Sequence, residues 1–95
     1  MADVERSDAD GFTLVINADS VSDADTVWQR MVHPELWWNP DHIWSGDAVN
    51  MVLEARAGGC WCEAVADGGS VAHGAVAAFE PARHRVMMRS ELGPL

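Results

Sequence analysis

The stretch Gly58-Gly59-Cys60-Trp61-Cys62-Glu63, followed by Asp67-Gly68-Gly69-Ser70, decides how the rest of the chain is read. Glycines accept the positive φ that tight hairpin turns require, and Asp-Gly-Gly is a strong hairpin signal. Cys60 to Ala66 is therefore one strand and Val71 to Glu80 its neighbour, the middle hairpin of an antiparallel sheet.

Working outward, Pro81-Ala82-Arg83 is a turn and His84 to Ser90 a further strand. Alternation puts His84, Val86 and Met88 on one of its faces and Arg85, Met87 and Arg89 on the other. On the other side, Ala48 to Ala55 reads as a strand with Val49, Met51 and Leu53 sharing a face. Asp41 to Gly46 is a loop. Before it, Ser22-Asp23-Ala24-Asp25 opens a helix, with Ser22 as cap and Asp25 completing a capping box. Ala24, Val27, Trp28, Met31 and Val32 give that helix an apolar face. Pro34 stops it near His33 and opens a second short helix through Leu36, Trp37 and Trp38, which Asn39-Pro40 ends. Gly11 to Asn17 alternates as a half-buried strand at the outside of the sheet, and residues 1–10 read as a disordered acidic leader.

Ninety-five residues make one small domain with a marginal core. The net charge of −9, from 15 acids and 6 bases, argues against nucleic acid and against anionic membranes as partners. The N-terminus has neither the basic start nor the apolar run of a secretory signal, and no stretch is long and apolar enough for a membrane span. The expected location is the cytoplasm, with reduced thiols.

Five tryptophans stand against two phenylalanines and no tyrosine. An indole has a large apolar body and one N–H donor, which suits the rim of an apolar pocket as well as the plug of a lid. Trp28 belongs to the helix's core face. Trp37, Trp38, Trp44 and Trp61 are candidates for ligand contact, with Met51 and Met88 on the sheet beneath them.

Glu63 shares a strand face with Trp61. Burial there would raise its pKa, and pairing with His73 across the hairpin would allow proton transfer, so Glu63 and His73 are the candidate catalytic residues. The plainer alternative is a carboxylate that takes a hydrogen bond from a turn amide or from Arg85 or Arg89. Cys60 and Cys62 lie on one strand face with Cα atoms about 6.5–7 Å apart, at the outer limit for a disulfide. The expectation is two small apolar side chains without a bond between them. As candidate metal ligands, Cys60, Cys62 and His73 fall short of the usual spacing and number for structural zinc. No cofactor is implied.

The order of these pieces resembles the SRPBCC superfamily. The pieces are the strand, the capped helix with Val27-Trp28, Pro34-Glu35-Leu36-Trp37-Trp38, Ser45-Gly46-Asp47, the Gly58-Gly59 to Glu63 block, Gly68-Gly69, His73-Gly74 and Leu92-Gly93-Pro94-Leu95. Within the superfamily the chain looks most like the branch of heat-shock ATPase activator homologues and polyketide cyclases. The resemblance spans residues 11–95. It implies an α+β, START-like helix-grip fold, a curved antiparallel sheet with two short N-terminal helices around a cavity. The last two strands and the long C-terminal helix of that fold have no counterpart here. The implied function is binding of a small hydrophobic or amphipathic molecule. The alternatives are a cyclase- or hydrolase-like enzyme using Glu63 and His73, or a chaperone-activator-like interaction domain. Either a homodimer partner or a missing C-terminal segment is expected to cover the sheet.

Overall fold

The computed structural model describes residues 2–90. Leu92-Gly93-Pro94-Leu95, which carried part of the resemblance, lies outside them. Two antiparallel sheets form. Strands β1 (Ala2–Asp8) and β2 (Gly11–Ile16) make a separate hairpin. Strands β3 (Met51–Leu53), β4 (Cys60–Ala64), β5 (Ser70–Glu80) and β6 (Arg85–Ser90) make a four-stranded meander in that order.

The meander follows the turn chemistry of the sequence. Gly58 and Gly68 both adopt positive φ, at 79° and 76°. The connection from β4 to β5 closes as a 3-10 turn over Ala66–Gly68. The β5–β6 connection is a 3-10 turn over Pro81–Arg83, ending at His84 in the left-handed region. Gly74 meets a different demand. A Cβ there would lie 2.6 Å from the Arg89 carbonyl oxygen, so β6 can approach β5 only because position 74 has no side chain.

Among the described residues there is one α-helix, α1, from Ala24 to Met31. Its cap is Asp23, whose carboxylate accepts the Thr26 N–H at 2.8 Å, one residue later than the Ser22 cap expected. Trp28 is buried, its ring 5.3 Å from Phe79 and 5.8 Å from His84. The His84 ring also bonds Asp25 at 2.9 Å, which fastens the start of the helix to the β5–β6 turn. Trp28, Val32, Met51 and Val76 form the apolar core between helix and sheet.

The expected helix-grip with two N-terminal helices does not form. Pro34 and Pro40 leave too little chain between them for a second helix, because Asn39, before Pro40, is held extended. Pro34–Leu36 closes a lone 3-10 turn instead. The first strand does not join the main sheet either. Residues 2–8, expected to be disordered, pair with it as β1. Their short polar side chains supply the turn: the Asp8 carboxylate accepts the N–H groups of Asp10 and Gly11, and Arg6 pairs with Asp8 at 2.9 Å. The result is a small, sheet-rich α+β fold. Among the described residues no helix is long and apolar enough to cross a membrane.

Candidate functional site

β3 and β4 pair Met51 with Glu63 and Leu53 with Trp61, so these four side chains share one face. That face looks toward α1 and the short turns after it. Cys60 and Cys62 therefore take the opposite face, beside the exposed Val52.

Between this face and its helical cover is a cavity of about 280 Å³ lined by Met31, Pro34, Trp37, Leu53, Trp61, Val86 and Met88. Among the described residues the lining contains none that is charged. Trp37 is placed there by a hydrogen bond from its indole N–H to the Arg30 carbonyl at 2.7 Å, which also accepts the His33 backbone N–H. Trp38 packs edge-on against Trp61 at 4.9 Å, just behind the wall. The indole nitrogens of both Trp38 and Trp61 are sealed from solvent and have no acceptor among the described residues.

Of the ligand candidates, Trp37, Trp61 and Met88 meet at the cavity. Met51 lies beneath, fully buried. Trp44 does not join them, and lines a separate depression with Ser45, Asn50, Ala64 and Val65. Leu53, Val86, Met31 and Pro34 were missed as lining residues. Alternation did carry a signal for two of them, since Leu53 follows Met51 and Val86 precedes Met88 on the same faces.

Glu63 and His73 do come together. The Glu63 carboxylate is completely buried and lies 2.8 Å from His73 Nε2. It also accepts the backbone N–H of Trp44 through Oε1 and of Ser45 through Oε2, each at 2.9 Å. Burial pushes its pKa up, but the Ser45 and Trp44 amides, the Ser45 hydroxyl and His73 outweigh that and hold it below the ordinary carboxylate range. The expected rise is thus overturned. Glu63 is an ionised acceptor that anchors the Trp44-Ser45 loop, and Arg85 and Arg89 play no part in holding it. Arg85 pairs with Glu80 instead, at 3.2 Å.

His73 reaches Glu63 through a β-bulge. Trp61 pairs with Gly74 and Cys62 with Ala72, which leaves His73 as the extra residue of β5. A bulge re-aims the side chain it carries, and such irregularities are enriched beside functional sites.

Cys60 and Cys62 are joined by a disulfide, against expectation. Their Cα atoms are 5.6 Å apart, closer than in a regular strand and well inside the disulfide range. The ladder shifts register between Trp61 and Cys62, so the even spacing assumed from sequence does not hold. Bridged sulfurs are not thiolate ligands, and the described residues contain no cluster of three or more potential metal-binding side chains. The weak metal candidates Cys60, Cys62 and His73 thus have no thiolate to offer.

Comparison with family models, with curated proteins and with solved structures finds no match for this chain.

Proposed function

We propose that the chain binds a small hydrophobic or amphipathic molecule in the cavity between α1 and the sheet. The observation that carries this reading is an uncharged lining of two indoles, two methionines and three further apolar residues around about 280 Å³. Binding sites for small molecules are mostly apolar concavities of this kind. A dry cavity of about 150 Å³ already holds benzene, so this one has room for a bicyclic or medium-chain body.

Titration with the neutral dye N-phenyl-1-naphthylamine tests it. Saturable fluorescence enhancement is expected, with loss in Met88→Trp, which fills the space without removing a wall. Equal enhancement in the filled variant would place the dye elsewhere and sink the reading.

A second reading, proton-transfer catalysis, is favoured by the 2.8 Å contact between His73 and Glu63. An ionised carboxylate behind an imidazole fixes its tautomer and orientation, which is what a histidine base needs. Its role for Glu63 is positioning: Glu63→Gln would lower kcat on any substrate found while leaving KM nearly unchanged. Unaltered kcat would remove Glu63 from the mechanism.

A further inference from the structure

The Cys60–Cys62 bridge spans one residue, Trp61, and both of its ends lie inside β4. It fastens no element to another. β4 is already paired with β3 at Met51 to Leu53 and with β5 at Ser70 to Ala75. In the chain-entropy account a disulfide stabilises by closing a loop of the unfolded chain, and its effect grows with the length of that loop. A loop this short contributes least. The bridge is a poor staple, and the ladder holds the strand whether or not the sulfurs are joined.

The surroundings of the bridge are open. Cys60 and Cys62 are half-buried on the sheet face opposite Trp61 and Glu63. The residues that face them across the ladder, Val52, Ala72 and Ala75, are exposed. Two of these three are alanines, which rise little above the sheet.

The register that brings the two Cα atoms to 5.6 Å is held from the other face. Trp61 pairs with Gly74 and Cys62 with Ala72, and His73, left between, is fixed by its 2.8 Å bond to the buried Glu63 carboxylate. That bond involves neither sulfur. The two cysteines therefore stay within bridging distance when they are reduced, and closing the bridge again is an intramolecular step.

We propose that the Cys60–Cys62 pair is a thiol–disulfide exchange site whose substrate is a free thiol. An incoming thiolate bonds to one bridge sulfur, the Cys60–Cys62 bond breaks, and the other sulfur leaves as a thiolate that takes up a proton. A second substrate thiolate then attacks the substrate sulfur of the mixed disulfide and releases the remaining cysteine, which is protonated in turn. The products are the Cys60 and Cys62 dithiol and one substrate disulfide, a transfer of two electrons to the chain. A small disulfide such as oxidised glutathione restores the bridge by the reverse exchange. Accessible bridges that hold no elements together are the ones that react in this way. The site lies across the sheet from the apolar cavity and does not depend on the function proposed for that cavity.

The test begins with the oxidised full chain in glutathione buffers of graded ratio, followed by alkylation with iodoacetamide and mass spectrometry. Conversion from unlabelled to doubly labelled chain is expected without urea, under an unchanged circular dichroism spectrum. Cys62→Ser removes the resolving sulfur, so a glutathione adduct at Cys60 should accumulate. A reduced dithiol peptide, offered in place of glutathione, separates the two sources of thiol: the faster reductant per thiol tells a peptide partner from a small one. With oxidised glutathione as terminal acceptor, catalytic amounts of the chain should speed oxidation of that peptide, and Cys62→Ser should lose the acceleration. A bridge that resists reduction until urea unfolds the chain, a spectrum that collapses as the bridge opens, or equal acceleration by Cys62→Ser overturns the site.

Discussion

The hairpin β1–β2 and the meander β3–β6 are both antiparallel, and both alternate apolar with polar residues. Only the meander has a core. Phe12, Leu14 and Ile16 of β2 follow one another at period two, as Met51 and Leu53 of β3 do, yet all three remain largely exposed while Met51 is 1% exposed. The difference lies in what sits above each sheet. The meander has Trp28 and Val32 of α1 against it, a histidine that ties the helix start to a turn, and a buried carboxylate that ties a loop to β4. The hairpin has ladder hydrogen bonds and one surface ion pair, and an isolated two-stranded hairpin is marginal at best in water. Apolar periodicity thus sets which residues share a face, and a covering element decides whether that face contributes to stability.

Mutations should reproduce this contrast, beginning with the cover. Trp28→Ala removes the largest side chain of the core and should cost about 3–5 kcal/mol in urea unfolding, which a domain of this size hardly survives. Met51→Ala should cost about 2–5 kcal/mol by the same measurement. Next comes the anchor. Glu63→Gln keeps the shape but replaces one acceptor oxygen by an amide group facing backbone N–H donors, for about 1–3 kcal/mol. Hydrogen exchange at the Trp44 and Ser45 amides should quicken with it. If those amides exchange as slowly as in the parent protein, the anchor is not Glu63.

The lowered pKa of Glu63 gives a pH signature of defined sign. A group whose folded pKa is depressed adds stability at pH values above its unfolded pKa, near 4.5 for an ordinary glutamate, and loses it as pH falls through the lower folded value. Stability should therefore decline in acid below about 4.5, and Glu63→Gln should flatten the decline. The smallest effect belongs to the hairpin. Leu14→Ser should change unfolding free energy by no more than about 0.5 kcal/mol. A loss as large as that of Met51→Ala would mean that the hairpin is packed in solution, and the contrast would fail.

How far the sequence carried follows from the range of each interaction. The β4–β5 hairpin, the β5–β6 turn and the face-sharing of Trp61 with Glu63 were legible, because glycine turns and alternation act within a few residues. Alternation set Glu63 and His73 on neighbouring strands as candidates, but their contact is made through the bulge. The anchor role of Glu63 was not: its amide partners lie 18 and 19 residues upstream, and nothing local marks them. The bulge at His73 escaped as well, since it is a property of two strands together, and the bridged cysteines go with that irregularity. Residues 2–8 were misread because a run of acids resembles a disordered leader, although Asp8 and Gly11 carried the turn chemistry that folds it back. The second helix failed although Asn39-Pro40 was read as its end: the chain between the two prolines closes only the 3-10 turn Pro34–Leu36.

The anchor at Glu63 also shapes how this chain can vary. Its carboxylate binds the main chain of Trp44 and Ser45, and a main-chain N–H is common to every amino acid except proline. Natural drift at position 44 is then nearly unconstrained by the loop's attachment, so the exposed indole there can be exchanged without releasing the loop. Position 63 has no such freedom, because only a side chain of glutamate's reach and charge can hold both amides and the His73 ring at once. The loop is therefore a place where new surface chemistry can be tried while its tether stays fixed.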